Sequence, residues 1–138
     1  MNAYSIVEVI HVIVAVSGLG SLTVIALMAR KPEWASVPLL TRLFKVVGPS
    51  FGLMLLTGIA LLWIAGWVYA STGWFRAAFL LFIVLGALTG IAQSTLKKIA
   101  ASGTPFGSSP LLGKFRTLTL WANILLILIV FLMEGKPF

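Results

Sequence analysis

Four long apolar runs fill nearly all of the 138-residue chain, and they constrain its fold more than any single residue does. The runs cover residues 4–29, 39–69, 74–98 and 115–133. A helix needs about 20 apolar residues to cross the hydrocarbon core of a bilayer. Within that core the backbone polar groups must pair inside the protein, which favours helices. The sequence therefore predicts an all-α, four-helix transmembrane bundle that forms one domain over residues 1–138.

The composition favours a membrane protein over a soluble one. Apolar residues make up 60% of the chain and charged residues only 9%, whereas a soluble domain carries about 25% charged residues. The absence of cysteine excludes disulfides and thiolate metal sites. The net charge of +7 does not indicate nucleic-acid binding, because the cations flank the apolar runs. We expect those cations to contact membrane lipids with anionic headgroups.

The distribution of cations predicts an orientation in the membrane. Two of the ten, Arg76 and Lys136, belong to the side with the chain termini and the second loop. The other eight flank the first and third loops: Arg30, Lys31, Arg42, Lys45, Lys97, Lys98, Lys114 and Arg116. By the positive-inside rule these two loops are cytoplasmic and both termini are on the non-cytoplasmic side of a bacterial inner (plasma) membrane. The short loops predict an up-down-up-down order of the helices.

Small residues indicate where helices approach one another, since close packing drives helix association in lipid. The candidates are Gly18 in helix 1, Gly58 in helix 2, and Gly86 and Gly90 in helix 3, of which the last two form a GxxxG motif. Two interpretations remain open for that motif. It either packs inside one bundle or forms a homodimer face.

Ionisable residues at membrane depth are costly and therefore mark candidate sites. Glu8 and His11 lie three residues apart on one face of helix 1, and Arg76 and Glu134 are expected at the same outer level. A structural interpretation pairs Glu8 with Arg76 and leaves a neutral His11 hydrogen-bonded in the bundle. A functional interpretation makes His11 a ligand of haem iron or copper, with Glu8 as a co-ligand or supporting group. Met133 is a weaker candidate ligand.

A second polar layer lies nearer the cytoplasmic side and comprises Gln93, Ser94, Trp121 and Asn123. Hydrogen bonding between helices is the favoured role, because such contacts commonly hold transmembrane helices together. A polar path from this layer through Thr57 to His11 would instead indicate movement of protons or solutes. With one histidine and three acidic residues, the chain does not favour hydrolytic chemistry.

Several short motifs resemble the DUF2269 family of small bacterial membrane proteins. They are His11 with Gly18 and Gly20, Pro49, Thr57-Gly58, Trp121, and the ending Met133-Glu134-Gly135-Lys136-Pro137. The chain is more loosely similar to CopD-like copper-resistance proteins and HemJ-type protoporphyrinogen oxidases. The resemblance implies a four-helix membrane bundle without an established activity in the nearest family. From the looser relatives, His11 is implied as a ligand of haem b or a metal.

The sequence departs from those relatives at two points. Ser17 stands before the helix 1 glycine, where they commonly have tryptophan, and the further histidines of the HemJ group have no counterpart. We therefore favour a function without catalysis. Our first hypothesis is binding of a haem, metal or lipid-like ligand near His11 in the outer half. The alternatives are a structural or accessory subunit that packs against membrane-protein partners and, third, a small-solute channel or transporter.

Overall fold

The computed structural model describes residues 1–138 and confirms the all-α, four-helix bundle. The helices are α1 (Ala3–Arg30), α2 (Val37–Ile64), α3 (Gly73–Ala101) and α4 (Leu112–Gly135). Each is long and apolar enough to cross a membrane, so the chain is a multi-pass membrane protein. One end of the bundle, the loop end, carries the α1–α2 and α3–α4 connections. The other, the terminal end, carries both chain termini and the α2–α3 connection.

The helix limits agree with the apolar runs except at the end of α2. The run continues to residue 69, but the helix ends at Ile64. Gly66 and Trp67 adopt left-handed backbone angles, with φ of 65° and 63°. The Trp67 N–H donates to the Leu62 carbonyl at 2.9 Å, which closes the helix end. The following 3₁₀ turn, Val68–Ser71, is largely apolar too, so apolarity alone did not reveal this boundary.

The middle of the bundle contains two distorted helices in contact. In α1, residues Ala15–Leu19 form a π-helical turn, a feature frequent at functional sites that the sequence did not predict. In α2, Pro49 lies inside the helix and removes one backbone hydrogen bond. Gly18 is buried against Ser50 so closely that a β-carbon at Gly18 would collide with the Ser50 side chain. The backbones of α1 and α2 therefore approach each other closely here.

The hydrophobic core occupies the loop half of the bundle. No residue of Ala3–Val14 is buried. At the loop end, the Arg116 Nε donates to the Ala29 carbonyl at 2.6 Å, which places a cation at the C-terminal end of α1, where the helix dipole favours it. The core cluster consists of Leu22, Ile25, Ala29, Leu40, Phe44, Val47, Leu85, Ala92, Leu96, Ile99, Phe106, Leu112, Phe115 and Ala122. The terminal half is consequently the loosely packed half.

The predicted packing glycines have different surroundings. A β-carbon at Gly58 would lie 3.6 Å from His11 Cε1, and one at Gly86 would lie 3.8 Å from a Phe51 ring carbon. Gly18, Gly58 and Gly86 therefore face neighbouring helices inside the bundle. Gly90 is exposed, and a β-carbon there would meet no atom within 4 Å. Only one of the two glycines of the GxxxG motif thus takes part in internal packing.

Candidate functional site

A cavity opens in the terminal half because the first half of α1 diverges from α4. Residues Gly20–Arg30 pack on both α2 and α4, whereas Ala3–Val14 pack mainly on α2. The space left between the four helices has a volume of about 510 Å³, within the range of about 300–1,000 Å³ typical of small-molecule sites. Twenty of its 25 lining residues are hydrophobic. The cavity therefore suits a largely apolar molecule.

The charged groups of the cavity lie on α1 and at the end of α4. Glu8 comes from the second turn of α1, while Glu134 and Lys136 come from the end of α4 and the residues after it. His11 lies one turn deeper than Glu8. Met133 lines the same space. Four of the candidate ligand and polar-cluster residues from the sequence thus line one cavity: Glu8, His11, Met133 and Glu134.

The imidazole of His11 is held by a hydrogen bond to α2. His11 Nδ1 lies 2.6 Å from Thr57 Oγ1, and the ring edge packs against Gly58. Thr57 Oγ1 also donates to the Leu53 carbonyl at 2.7 Å. A hydroxyl has one proton, so the tautomer of the His11 ring determines whether Thr57 donates to Nδ1 or accepts from it. Nδ1 is the ring nitrogen that α2 holds.

Arg76 takes no part in this group. It is exposed, it does not line the cavity, and its Nε donates to the Ala70 carbonyl at 3.1 Å. Glu8 and Arg76 form no ion pair. The cation that lines the cavity is Lys136. From the sequence, Lys136 served only to predict the orientation of the chain in the membrane.

Lys136 is positioned by a sharp turn after α4. Its backbone is left-handed, with φ of 42°, and its Nζ lies 5.7 Å from the Tyr69 ring centre and 5.9 Å from that of Trp74. A cation over such ring faces is electrostatically favourable. The Trp74 N–H donates to the Phe138 carbonyl at 3.1 Å, so residues 136–138 fold back onto the start of α3. The apolar pattern gave no signal of this turn.

Lining residues with high exposure mark two lateral openings. Between α1 and α4, Val16 and Val130 line the cavity and are 72% and 52% exposed. Between α2 and α3, Leu55, Ile59 and Phe79 line it and are 42–45% exposed. The cavity is therefore bordered by exposed side chains on the lateral surface of the bundle.

The predicted inner polar layer is only partly assembled. Thr23 Oγ1 donates to Asn123 Oδ1 at 2.7 Å and joins α1 to α4. Gln93 is half-buried, whereas Ser94 is exposed and Trp121 is 54% exposed. Asn123 therefore has the interhelical role that the sequence favoured, while Ser94 and Trp121 face outward.

The fold and the cavity define a multi-pass, four-helix membrane protein with an internal site in one half. No protein-family profile, curated protein or solved structure matches this chain. Nowhere do three or more His, Cys, Asp or Glu side chains come together in a group able to hold a metal ion. The resemblance to the DUF2269 family stays an expectation.

Proposed function

We propose that the protein is a bacterial inner-membrane binding protein that takes a lipid-like amphiphile into the cavity beside His11. The observation that carries this proposal is the cavity itself, which has an apolar interior, a charged group at one end and openings toward the bilayer. The apolar part of an amphiphile fits among the aliphatic and aromatic walls. Its polar head reaches Glu8, His11, Glu134 and Lys136.

The polar head determines affinity in such a site. A hydrocarbon chain gains little on moving from lipid into the cavity, because lipid tails are as apolar as the cavity walls. Hydrogen bonds and charge contacts are strengthened in a medium of low dielectric constant. The few polar groups of the lining are therefore the source of selectivity, and the apolar walls supply shape.

The cation distribution supports an outward-facing cavity. Eight of the ten Lys and Arg residues flank the loop end, which the positive-inside rule assigns to the cytoplasm. The chain has no cysteine, so single-cysteine variants report topology directly. We expect an impermeant maleimide applied to spheroplasts to label Ser71→Cys and not Ser108→Cys. The opposite pattern would reverse the proposed orientation.

Haem is the second candidate, and the hydrogen bond between His11 and Thr57 favours it. That bond holds the ring through Nδ1, so Nε2 is the nitrogen that would hold haem iron. The charge of the lining fits less well, because two carboxylates and one ammonium would surround the haem propionates. For a copper ion, the structure offers no group of three or more His, Cys, Asp or Glu side chains. Absorption spectra of oxidised and reduced protein, with and without His11→Ala, test the haem candidate through a Soret band.

Trp74 provides the test of the main proposal, because it is buried and lines the cavity. A variant that keeps Trp74 alone carries phenylalanine at the other four tryptophans: Trp34, Trp63, Trp67 and Trp121. We expect saturable quenching of Trp74 when a bromoalkyl amphiphile is titrated into protein in an unbrominated mild detergent.

A cavity-filling substitution and its matched control complete the test. Ala78 on α3 lines the cavity, whereas Ala87 on the same helix is exposed. Ala78→Leu should weaken the saturable quenching, and Ala87→Leu should leave it unchanged. Quenching that rises linearly with probe and is identical in both variants would contradict binding in the cavity.

A further inference from the structure

We propose that the cavity selects an amphiphile with a positively charged head that donates hydrogen bonds, such as a primary alkylammonium. This inference rests on the proposed function and names its ligand class. It follows from the distribution of charges between the cavity and the rest of the chain.

The cavity has a charge opposite to that of the protein. The chain has ten Lys and Arg residues and three acidic residues. Two of the three acids, Glu8 and Glu134, line the cavity, together with only one of the ten cations, Lys136. Glu33, the remaining acid, lies in the α1–α2 connection at the opposite end. The cavity therefore has one more carboxylate than ammonium groups, although the chain carries a net charge of +7.

The single cation of the lining is already engaged by aromatic faces. Lys136 Nζ lies near the ring centres of Tyr69 and Trp74, and it forms no ion pair with Glu8 or Glu134. Glu8 and Glu134 are exposed, and neither has a counter-charge within the protein. A cationic head in the cavity would supply a counter-charge and hydrogen-bond donors to both.

His11 lines the same space, with its Nδ1 held 2.6 Å from Thr57 Oγ1. The excess of hydrogen-bond acceptors in the lining comes from the two carboxylates, Glu8 and Glu134, each of which has two acceptor oxygens. A head with N–H donors complements these carboxylates, whereas a phosphate, sulfate or carboxylate head meets repulsion.

The experiment compares bromoalkyl probes of one chain length that differ only in the head: primary ammonium, trimethylammonium and sulfate. Quenching of Trp74 in the single-tryptophan protein measures each affinity. We expect the ammonium probe to bind about tenfold or more tightly than the sulfate probe, the size expected for one charge-assisted hydrogen bond. The trimethylammonium probe should fall between them, because it keeps the charge and lacks the N–H donors.

Substitutions at two acids assign the preference to the cavity. Glu8→Gln should reduce the ammonium affinity and leave the sulfate affinity equal or higher. Glu134→Gln is a second, independent variant, should Glu8→Gln fail to fold. Glu33→Gln is the matched control and should change neither affinity.

The outcomes separate this inference from the proposed function. If no probe gives saturable quenching, the proposed function fails and this inference fails with it. If the probes bind but the sulfate head binds as tightly as the ammonium head, or the Glu33 control changes affinity as much as Glu8→Gln, the selectivity is refuted and the binding function survives.

Discussion

Replacing Gly18 by alanine is expected to separate α1 from α2 at the middle of the bundle. Gly18 is buried, and its added methyl group would occupy the position of the Ser50 side chain. Ser50 is 6% exposed, and its Oγ donates to the Val46 carbonyl at 2.7 Å. The collision involves the Ser50 Cβ as well as its Oγ, so a change of side-chain rotamer does not relieve it. The backbones of α1 and α2 must move apart instead.

Gly18→Ala should lower the free energy of unfolding by about 1–3 kcal/mol, which is the usual cost of adding one group to a tightly packed interior. Gly20 gives the matched control, since a β-carbon there meets no atom within 4 Å. Gly20→Ala should be neutral or stabilising by up to about 1 kcal/mol, because alanine is the better helix former. The gain from the higher helix propensity of alanine applies equally at Gly18. The difference in unfolding free energy between Gly18→Ala and Gly20→Ala therefore measures the steric contact alone.

The assay is unfolding of the purified protein in mixed micelles of mild detergent and sodium dodecyl sulfate, followed by far-ultraviolet circular dichroism. The double variant Gly18→Ala/Ser50→Gly removes the colliding side chain and should recover at least about 1 kcal/mol relative to the sum of the single changes. If Gly18→Ala is as stable as Gly20→Ala, or if Ser50→Gly gives no recovery, the close approach of these helices is refuted.

Three further outcomes are expected. Arg116→Met removes the side-chain cap from the end of α1 and should destabilise the bundle by about 1–3 kcal/mol, because a charge-assisted hydrogen bond is lost. Lys114 is exposed on the same helix, so Lys114→Met should have little effect in the same unfolding assay. A double-mutant cycle with Asn123→Leu and Thr23→Val should give a coupling energy of about 0.6 kcal/mol, the usual size for interhelical hydrogen bonds in membranes. A coupling energy of zero would contradict the hydrogen bond between these two side chains. Val16→Trp narrows the gap between α1 and α4 and should slow the association of a bromoalkyl probe in stopped-flow quenching; an unchanged rate would place access elsewhere.

The sequence predicted the fold because two factors determine it almost alone. These are the length of each apolar run and the requirement that backbone N–H and C=O groups be hydrogen-bonded within the protein in lipid. Its predictions were weaker where the backbone departs from a straight α-helix. The end of α2 depends on left-handed angles at Gly66 and Trp67, and Trp67 gives no sign of that conformation. The π-helical turn at Ala15–Leu19 includes Gly18, which contacts Ser50 of α2, and a pattern within one helix does not reveal a contact between two.

The candidate site was predicted in part for a related reason. Ionisable residues in apolar runs are rare enough to be recognised individually, so Glu8 and His11 were identified from the sequence. Their contacts were not, because contacts depend on how helices rotate and tilt, and Thr57 was named only on a polar path that leads to His11. His11 is held by Thr57, and the cation of the lining is Lys136 in place of Arg76. The turn that follows α4 determines the position of Lys136.

The contact between Gly18 and Ser50 also links the packed half of the bundle to the cavity. Beyond it toward the terminal end, α1 packs mainly on α2, and the hydrogen bond between His11 and Thr57 joins the same two helices about two turns away. A separation forced at Gly18 should lengthen that bond and release the His11 ring from its position in the cavity wall. Gly18→Ala should therefore weaken binding of the ammonium probe by about as much as Thr57→Val, which removes the bond directly. Gly20→Ala should leave the affinity unchanged. If Gly18→Ala loses stability but retains full affinity, the cavity is independent of the α1–α2 crossing, and the position of His11 must be determined by other contacts.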